Sequence, residues 1–220
     1  MTVELIPVIE LGYHNQGIPS PNKYPYWDNA ELWDKFNSDC YKKAGFKDEF
    51  TPYLPGSSFY RLTEITDKNM TKIIIDFTQD LRGRKYEKNQ GCALFGGYIL
   101  RIDGEEKLFP QCCGDLGDIY YWEILSNGQD SYYGGHPAPQ IKFQDNYIIL
   151  DFTVDEFDES FEPIPPEIIV SIDRLELKKA VEKAKTDLQA FELKLNKINE
   201  DEKLNIDNIG RVLIWNNSYY

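Results

Sequence analysis

Apolar residues recur every four and three positions near the C-terminus, and this repeat constrains the fold more than any other feature of the 220-residue chain. The spacing runs 4-3-4-3-4-3 over about three heptads, which is the pattern of a helix with one buried face. Asp173, with Glu176 three positions later, resembles a capping box that would begin such a helix. We therefore predict a long amphipathic helix from about residue 173 to 199. Its buried positions would be Leu177, Val181, Ala184, Leu188, Phe191, Leu195 and Ile198.

The middle of the chain carries two dipeptides that are typical of tight turns in β-hairpins. Asp103-Gly104 is the stronger signal and Asp145-Asn146 is the second. β-Branched and aromatic residues flank both dipeptides, as expected for antiparallel strands. The strands that the sequence predicts are 3–9, 58–62, 72–77, 94–102, 106–110, 141–143, 147–154, 168–172 and 211–215.

A second helix is predicted near the N-terminus, from about residue 28 to 44, because apolar residues recur there at helical spacing and Gly45 follows as a stop. Together these elements predict one α+β domain, residues 1–220, with a mainly antiparallel β-sheet, an N-terminal helix and a long C-terminal amphipathic helix. A proline-rich stretch allows a subdivision near 163–172, before the C-terminal helix. Three heptads are near the minimum for a coiled coil, so we expect a monomer or a weak homodimer.

The balance of charges narrows the classes of partner. Asp and Glu number 37 against 24 Lys and Arg, which gives a formal net charge of −13. Such a surface repels phosphate backbones and anionic lipids, so we expect neither nucleic acid nor a membrane as a partner. The opening residues, MTVELIPVIELG, lack the basic and apolar regions of a secretory signal. We therefore expect a cytoplasmic protein.

Four cysteines, two of them adjacent, also favour the cytoplasm. Neighbouring cysteines seldom pair with each other because the ring that they would close is strained. We expect all four thiols to be reduced, with no cofactor and no metal bound. The simplest interpretation of the adjacent pair is a tight turn that buries two small thiols. The cysteines are Cys40, Cys92, Cys112 and Cys113.

An alternative hypothesis gives the same segment a catalytic or zinc-binding role. Cys113 would be a nucleophile, His136 its general base, and Asp115 or Asp118 the group that orients the imidazole. A zinc site would instead use Cys92, Cys112 or Cys113, and His136 as ligands. No C-x-x-C knuckle or peptidase signature accompanies these residues, so their spacing alone supports neither role strongly.

The stretch 151–162, DFTVDEFDESFE, contains six carboxylates and no basic residue. Three phenylalanines alternate with the acids, and exposed aromatic anchors beside carboxylates are typical of a surface that binds a basic protein. The alternative is that Phe152, Phe157 and Phe161 turn into the core of the domain while the acids face water. The predicted partner-binding residues are Asp151, Asp155, Glu156, Phe157, Asp158, Glu159 and Glu162.

Three stretches of the chain carry a resemblance to a known class of proteins: PYWDNAELW at 25–33, FPQCCGDLGD at 109–118 with Trp122, and the acidic run at 151–162. In general character the chain resembles bacterial immunity proteins of polymorphic toxin systems, which are small, acidic, cytosolic α+β domains without a catalytic motif. The resemblance implies stoichiometric inhibition, in which the protein binds a basic toxin domain, often a nuclease, and covers its active site.

Three hypotheses of function therefore follow from the sequence. The leading one is a cytosolic protein-interaction module, an immunity protein that neutralises a basic toxin domain through the acidic stretch. The second is a cysteine–histidine enzyme or a zinc-binding protein centred on Cys112, Cys113, Asp115 and His136. The third is a structural subunit that assembles through its C-terminal helix.

Overall fold

In the described part of the chain, two antiparallel sheets, one of four strands and one of three, form the β part of an α+β fold. The computed structural model describes residues 1–85, 91–154 and 159–215. The strands are β1 Val3–Glu10, β2 Phe59–Arg61, β3 Gly96–Ile102, β4 Glu105–Leu108, β5 Gln140–Gln144, β6 Tyr147–Asp151 and β7 Ile169–Asp173. The helices are α1 Ala30–Lys43, α2 Asp67–Phe77, α3 Gln79–Arg82, α4 Ile119–Ser126, α5 Arg174–Asp201 and α6 Ile209–Leu213. The strand orders are β2-β1-β3-β4 and β5-β6-β7.

Strand β1 lies between β2 and β3 and pairs with β3 along nearly its whole length, from Val3 opposite Ile102 to Ile9 opposite Gly96. Gly96 lies at one end of this pairing, opposite Ile9, and its φ is +131°. A Cβ atom there would lie 2.3 Å from the carbonyl oxygen of Val8, so only glycine fits this position.

Both predicted hairpins are confirmed. Asp103 and Gly104 have φ values of +50° and +89°, as a two-residue turn of the primed type requires, and they join β3 to β4. The second hairpin joins β5 to β6, and the turn places Asp145 at a φ of +53°. In both turns the local dipeptide was sufficient to predict the structure.

The long C-terminal helix is confirmed as α5. Oδ1 of Asp173 caps it by accepting hydrogen bonds from the backbone N–H groups of Leu175 at 2.9 Å and Glu176 at 3.1 Å. All seven positions that the sequence predicts to be buried on this helix, which we call the seam, are buried within this chain, where α5 packs on β1, α4 and α6. The apolar cluster that they join also contains residues of both sheets. The seam is therefore covered by the chain itself.

Two predicted strands are helices instead. The stretch 72–77 belongs to α2. Thr66 caps the N-terminus of this helix, and its hydroxyl accepts a hydrogen bond from the N–H of Asn69 at 3.3 Å. Met70, Ile73 and Ile74 then share its buried face. The stretch 211–215 overlaps α6, which packs on α5. Short apolar runs have no clear period of their own, so their packing partners decide between helix and strand.

No helix in the described part of the chain is long and apolar enough to cross a membrane.

Candidate functional site

A tight turn follows β4 and carries the two adjacent cysteines. The N–H of Gly114 donates a hydrogen bond to the carbonyl oxygen of Gln111 at 3.0 Å, and Cys113 has a φ of +70°. A positive φ at the third position of a four-residue turn is the mark of type II, where glycine is usual. Cys112 and Cys113 occupy the two corner positions, and both are exposed. The sequence-based expectation of buried thiols is therefore wrong.

The turn is fixed on both sides by hydrogen bonds. Oε1 of the buried Gln111 accepts from the N–H of Glu162 at 3.0 Å, and its Nε2 donates to the carbonyl oxygen of Phe109 at 2.8 Å. The carbonyl oxygen of Cys112 accepts from the N–H of His136 at 2.9 Å. The turn therefore holds together the end of β4, the loop that contains His136, and the last residue of the acidic stretch.

The two thiols contact each other. Their Sγ atoms lie 3.5 Å apart, and either thiol can donate the hydrogen bond. The pKa of Cys112 is raised, chiefly by this hydrogen bond and by the proximity of Cys113, and further by the negative charges of Glu10 and Glu159. A raised pKa keeps the Cys112 thiol protonated at neutral pH, which does not favour nucleophilic chemistry at that sulfur.

The proposed catalytic residues come together only in part. The backbones of Cys112 and His136 form an isolated antiparallel bridge. Within the described ranges, however, no hydrogen bond joins the imidazole of His136 to Cys113, Asp115 or Asp118. The His136 side chain is exposed. The structure thus brings the backbones of Cys112 and His136 together without the side-chain contacts of a nucleophile, a base and an orienting acid.

Asp115 and Asp118 cap the short 3-10 helix Leu116–Asp118 that leads into α4. Oδ1 of Asp115 accepts from the N–H of Gly117 at 2.6 Å, and Oδ2 of Asp118 accepts from the N–H of Asp115 at 3.3 Å. Desolvation, followed by the charge of Asp115, raises the pKa of Asp118 to about 7. These contacts give both carboxylates a structural role at the start of α4.

The zinc hypothesis finds no ligand set in residues 1–85, 91–154 and 159–215. Across those ranges no group of three or more His, Cys, Asp or Glu side chains has a geometry that could hold a metal ion. Cys92 is exposed and Cys40 is buried, and all four cysteines are free thiols.

The acidic residues of the stretch 151–162 differ in their contacts and in whether the structure describes them. Asp151 accepts a hydrogen bond from the N–H of Thr153 at 3.0 Å and lies 3.5 Å from Nζ of Lys142. Glu159 and Glu162 are exposed. The remaining predicted partner-binding residues lie outside the described part of the chain: Asp155, Glu156, Phe157 and Asp158.

Two of the three phenylalanines in this stretch belong to the core. Phe152 and Phe161 are buried, and their rings pack edge to face with centroids 5.1 Å apart. For this pair the structure supports the alternative in which the aromatic residues face inward. They anchor the two ends of the acidic stretch on the body of the domain.

A third carboxylate, that of Glu10 at the end of β1, acts electrostatically on the same two groups as Glu159 and Glu162. The pKa of Tyr26 is raised mainly by desolvation and further by the charges of Glu162 and Glu10. The charges of Glu10 and Glu159 also raise the pKa of Cys112. All three glutamates are exposed, and among the described residues no lysine or arginine lies within 4.0 Å of their carboxylates. We call Glu10, Glu159 and Glu162 the acidic surface. The sequence did not reveal Glu10, because only the fold brings β1 beside this segment.

Three isoleucines follow Glu162 along the chain and face solvent. Ile164, Ile168 and Ile169 are 73%, 67% and 50% exposed. Single exposed apolar residues are common on protein surfaces, but a group of them is typical of a region that contacts another molecule. Carboxylates without basic neighbours and exposed isoleucines therefore occur in one continuous segment.

The chain matches no family model, no curated protein and no solved structure.

Proposed function

We propose that the protein is an interaction module that binds a basic protein domain, as the immunity proteins that it resembles bind a toxin. The observation that carries this proposal is the acidic surface: three exposed glutamates from two distant parts of the chain, without a basic side chain of the described residues beside them. Carboxylates that act on the same groups without a basic neighbour produce a negative local potential, which a cationic partner would neutralise.

The exposed isoleucines supply apolar surface that a partner can bury, which the carboxylates lack. Charge steers the encounter and increases the association rate, whereas burial of apolar side chains prolongs the complex. Ile164 and Ile168, which are 73% and 67% exposed, can each bury most of their side chain against a partner. The proposed contact therefore combines Glu10, Glu159 and Glu162 with the neighbouring isoleucines.

The test uses the full chain and the purified product of a basic toxin-domain gene adjacent to its own gene. Association rates are measured at several salt concentrations for the wild type and for a variant with Glu10→Gln, Glu159→Gln and Glu162→Gln. We expect the association rate at low salt to fall about tenfold and its salt dependence to weaken, because the steering charges are gone.

A matched control changes the net charge equally at another place. The control variant carries Glu31→Gln, Glu200→Gln and Glu202→Gln. The three native glutamates are exposed and have no ion-pair partner among the described residues. This variant should associate nearly as fast as wild type at physiological salt, where fields reach only about 8 Å. A separate variant, Ile164→Ser with Ile168→Ser, should mainly increase the dissociation rate. Failure of the wild type to bind, or equal association rates for both charge variants, would contradict the proposal.

A further inference from the structure

Cys112 and Cys113 form a pair of exposed thiols whose geometry is set by the backbone. They occupy the two corners of a type II turn, and their Sγ atoms are 3.5 Å apart. We propose that this pair is a dithiol site that chelates trivalent arsenic compounds. The proposal is independent of the acidic surface and of protein binding.

The separation of the two sulfurs selects among thiophilic ligands. A trivalent arsenic atom is pyramidal and holds two sulfur ligands at close to a right angle, so it bridges sulfurs that are already near contact. A two-coordinate soft metal ion prefers its sulfurs on opposite sides and needs them farther apart than 3.5 Å. Structural zinc takes four ligands, and the described residues offer no such group here.

The turn is prepared for chelation because few degrees of freedom remain to be fixed. Gly114 closes it through the hydrogen bond to Gln111, and its carbonyl oxygen accepts from the N–H of Gly96 at 3.0 Å. The N–H of His136 fixes the carbonyl oxygen of Cys112. Only the two side-chain torsions must adjust when arsenic binds, so the entropic cost of forming the chelate ring is small.

The net reaction consumes thiol protons, so a Cys112 thiol that stays protonated is compatible with the finished adduct. When an aryl arsenoxide reacts, two arsenic–sulfur bonds form and the arsenic–oxygen double bond breaks. The oxygen takes both thiol protons and leaves as water, and no atom changes oxidation state. The reaction adds no charge to the protein, so the neighbouring Glu10 and Glu159, which raise the pKa of Cys112, do not oppose it.

The other two cysteines provide an internal comparison. Cys40 is buried in α1, whereas Cys92 is exposed. Neither forms a thiol–thiol contact within the described residues. A single thiol binds arsenic through one bond that competing thiols exchange readily, so a stable adduct requires the adjacent pair.

The experiment adds phenylarsine oxide to the reduced full-length protein and records the intact mass and the number of free thiols. We expect one arsenic per chain, the loss of two free thiols, resistance to excess monothiol and release by a dithiol. Cys112→Ser and Cys113→Ser should each weaken binding by about 100-fold or more, because the second bond of a chelate acts at high effective concentration. Cys92→Ser should bind like wild type.

The variant Cys113→Gly distinguishes the loss of a thiol from the loss of the folded turn. Glycine suits the positive φ of this position, so this variant should keep the turn while losing one thiol. It should retain the circular dichroism spectrum of the wild type and lose the stable adduct. A stable adduct in either serine variant or in Cys113→Gly, or its loss in Cys92→Ser, would overturn the proposal.

Discussion

The backbone N–H of Asp115 donates a hydrogen bond to Oδ2 of Asp118 at 3.3 Å, so one acidic residue holds the carboxylate of the other in a largely desolvated position. Desolvation and the charge of Asp115 raise the pKa of Asp118 to about 7, from an ordinary value of 3.8. Desolvation also raises the pKa of Asp115. The fold therefore favours protonated carboxyl groups at the start of α4.

The first prediction is that stability falls as pH rises from about 4 to about 7, because the folded protein binds more protons than the unfolded chain in this window. Above pH 7 the effect of Asp118 is constant. We expect the free energy of unfolding to be lower at pH 8 than at pH 5 by about 2 kcal/mol from this group. Urea unfolding at a series of pH values measures this change in the free energy of unfolding.

The variant Asp118→Asn should lose most of this pH dependence. Asp145→Asn, at the exposed turn of the β5–β6 hairpin, is the control and should keep it. The charge of Asp118 also raises the pKa of Tyr98, Tyr121 and Tyr133, and these tyrosines stay neutral throughout this range. An unchanged pH profile in Asp118→Asn would contradict the assignment.

The second prediction concerns backbone strain at Cys113. A side chain at a φ of +70° is unfavourable for every residue except glycine, with modest exceptions for Asn and Asp. Cys113→Gly should therefore be more stable than Cys113→Ala by about 1 kcal/mol, since alanine keeps the strain and glycine removes it. Chemical denaturation of both variants provides the comparison. A more stable alanine variant would show that relief of the positive φ does not govern the stability of this turn.

The third prediction compares two leucines on α5. Leu188 is fully buried, whereas Leu193 on the same helix is 72% exposed. Leu188→Ala should cost about 3 kcal/mol of unfolding free energy through lost burial and the cavity that remains. Leu193→Ala should change it by less than about 0.5 kcal/mol. If Leu188→Ala only changed the oligomeric state, the seam would be an interface between chains.

Local signals predicted most of the fold. Asp103-Gly104 was sufficient to place a hairpin because a two-residue turn depends on its own φ values. The 4-3 repeat was sufficient to place α5 because seven periodic positions outweigh local ambiguity. At 72–77 the β-branched residues Ile73 and Ile74 suggested a strand, yet capping at Thr66 and packing produced α2.

The candidate site was less accessible to sequence reasoning. The sequence indicates Cys112 and Cys113 as candidate site residues, but their exposure depends on the direction of the turn, which spacing does not specify. Glu10 belongs to the acidic surface only because the fold brings the end of β1 within electrostatic range of the same groups as Glu159 and Glu162. Contacts between distant parts of the chain leave no local pattern, so no motif could have indicated them.

The last prediction concerns Lys107 on β4, whose side chain is only 8% exposed. Its ammonium group lies 2.9 Å from Oε2 of Glu105 and also contacts Glu167, which precedes β7. The two carboxylate side chains are 74% and 56% exposed. The contact is thus asymmetric: the cation is buried and depends on its partners, whereas the anions are already hydrated.

The asymmetry gives opposite expectations for the two ways of breaking the contact. Glu105→Gln with Glu167→Gln should cost about 3 kcal/mol, because it leaves a buried ammonium group without a counter-charge. Lys107→Met should change the unfolding free energy by less than about 1 kcal/mol, since an apolar side chain of similar length fills the same space and the carboxylates turn to water. Asp39→Asn, which breaks the exposed Lys35–Asp39 pair, is the control and should cost less than about 0.5 kcal/mol. Urea unfolding of all three variants at pH 8 gives the order of their losses in unfolding free energy. If Lys107→Met lost more than the double glutamine variant, the carboxylates, rather than the ammonium group, would depend on this contact.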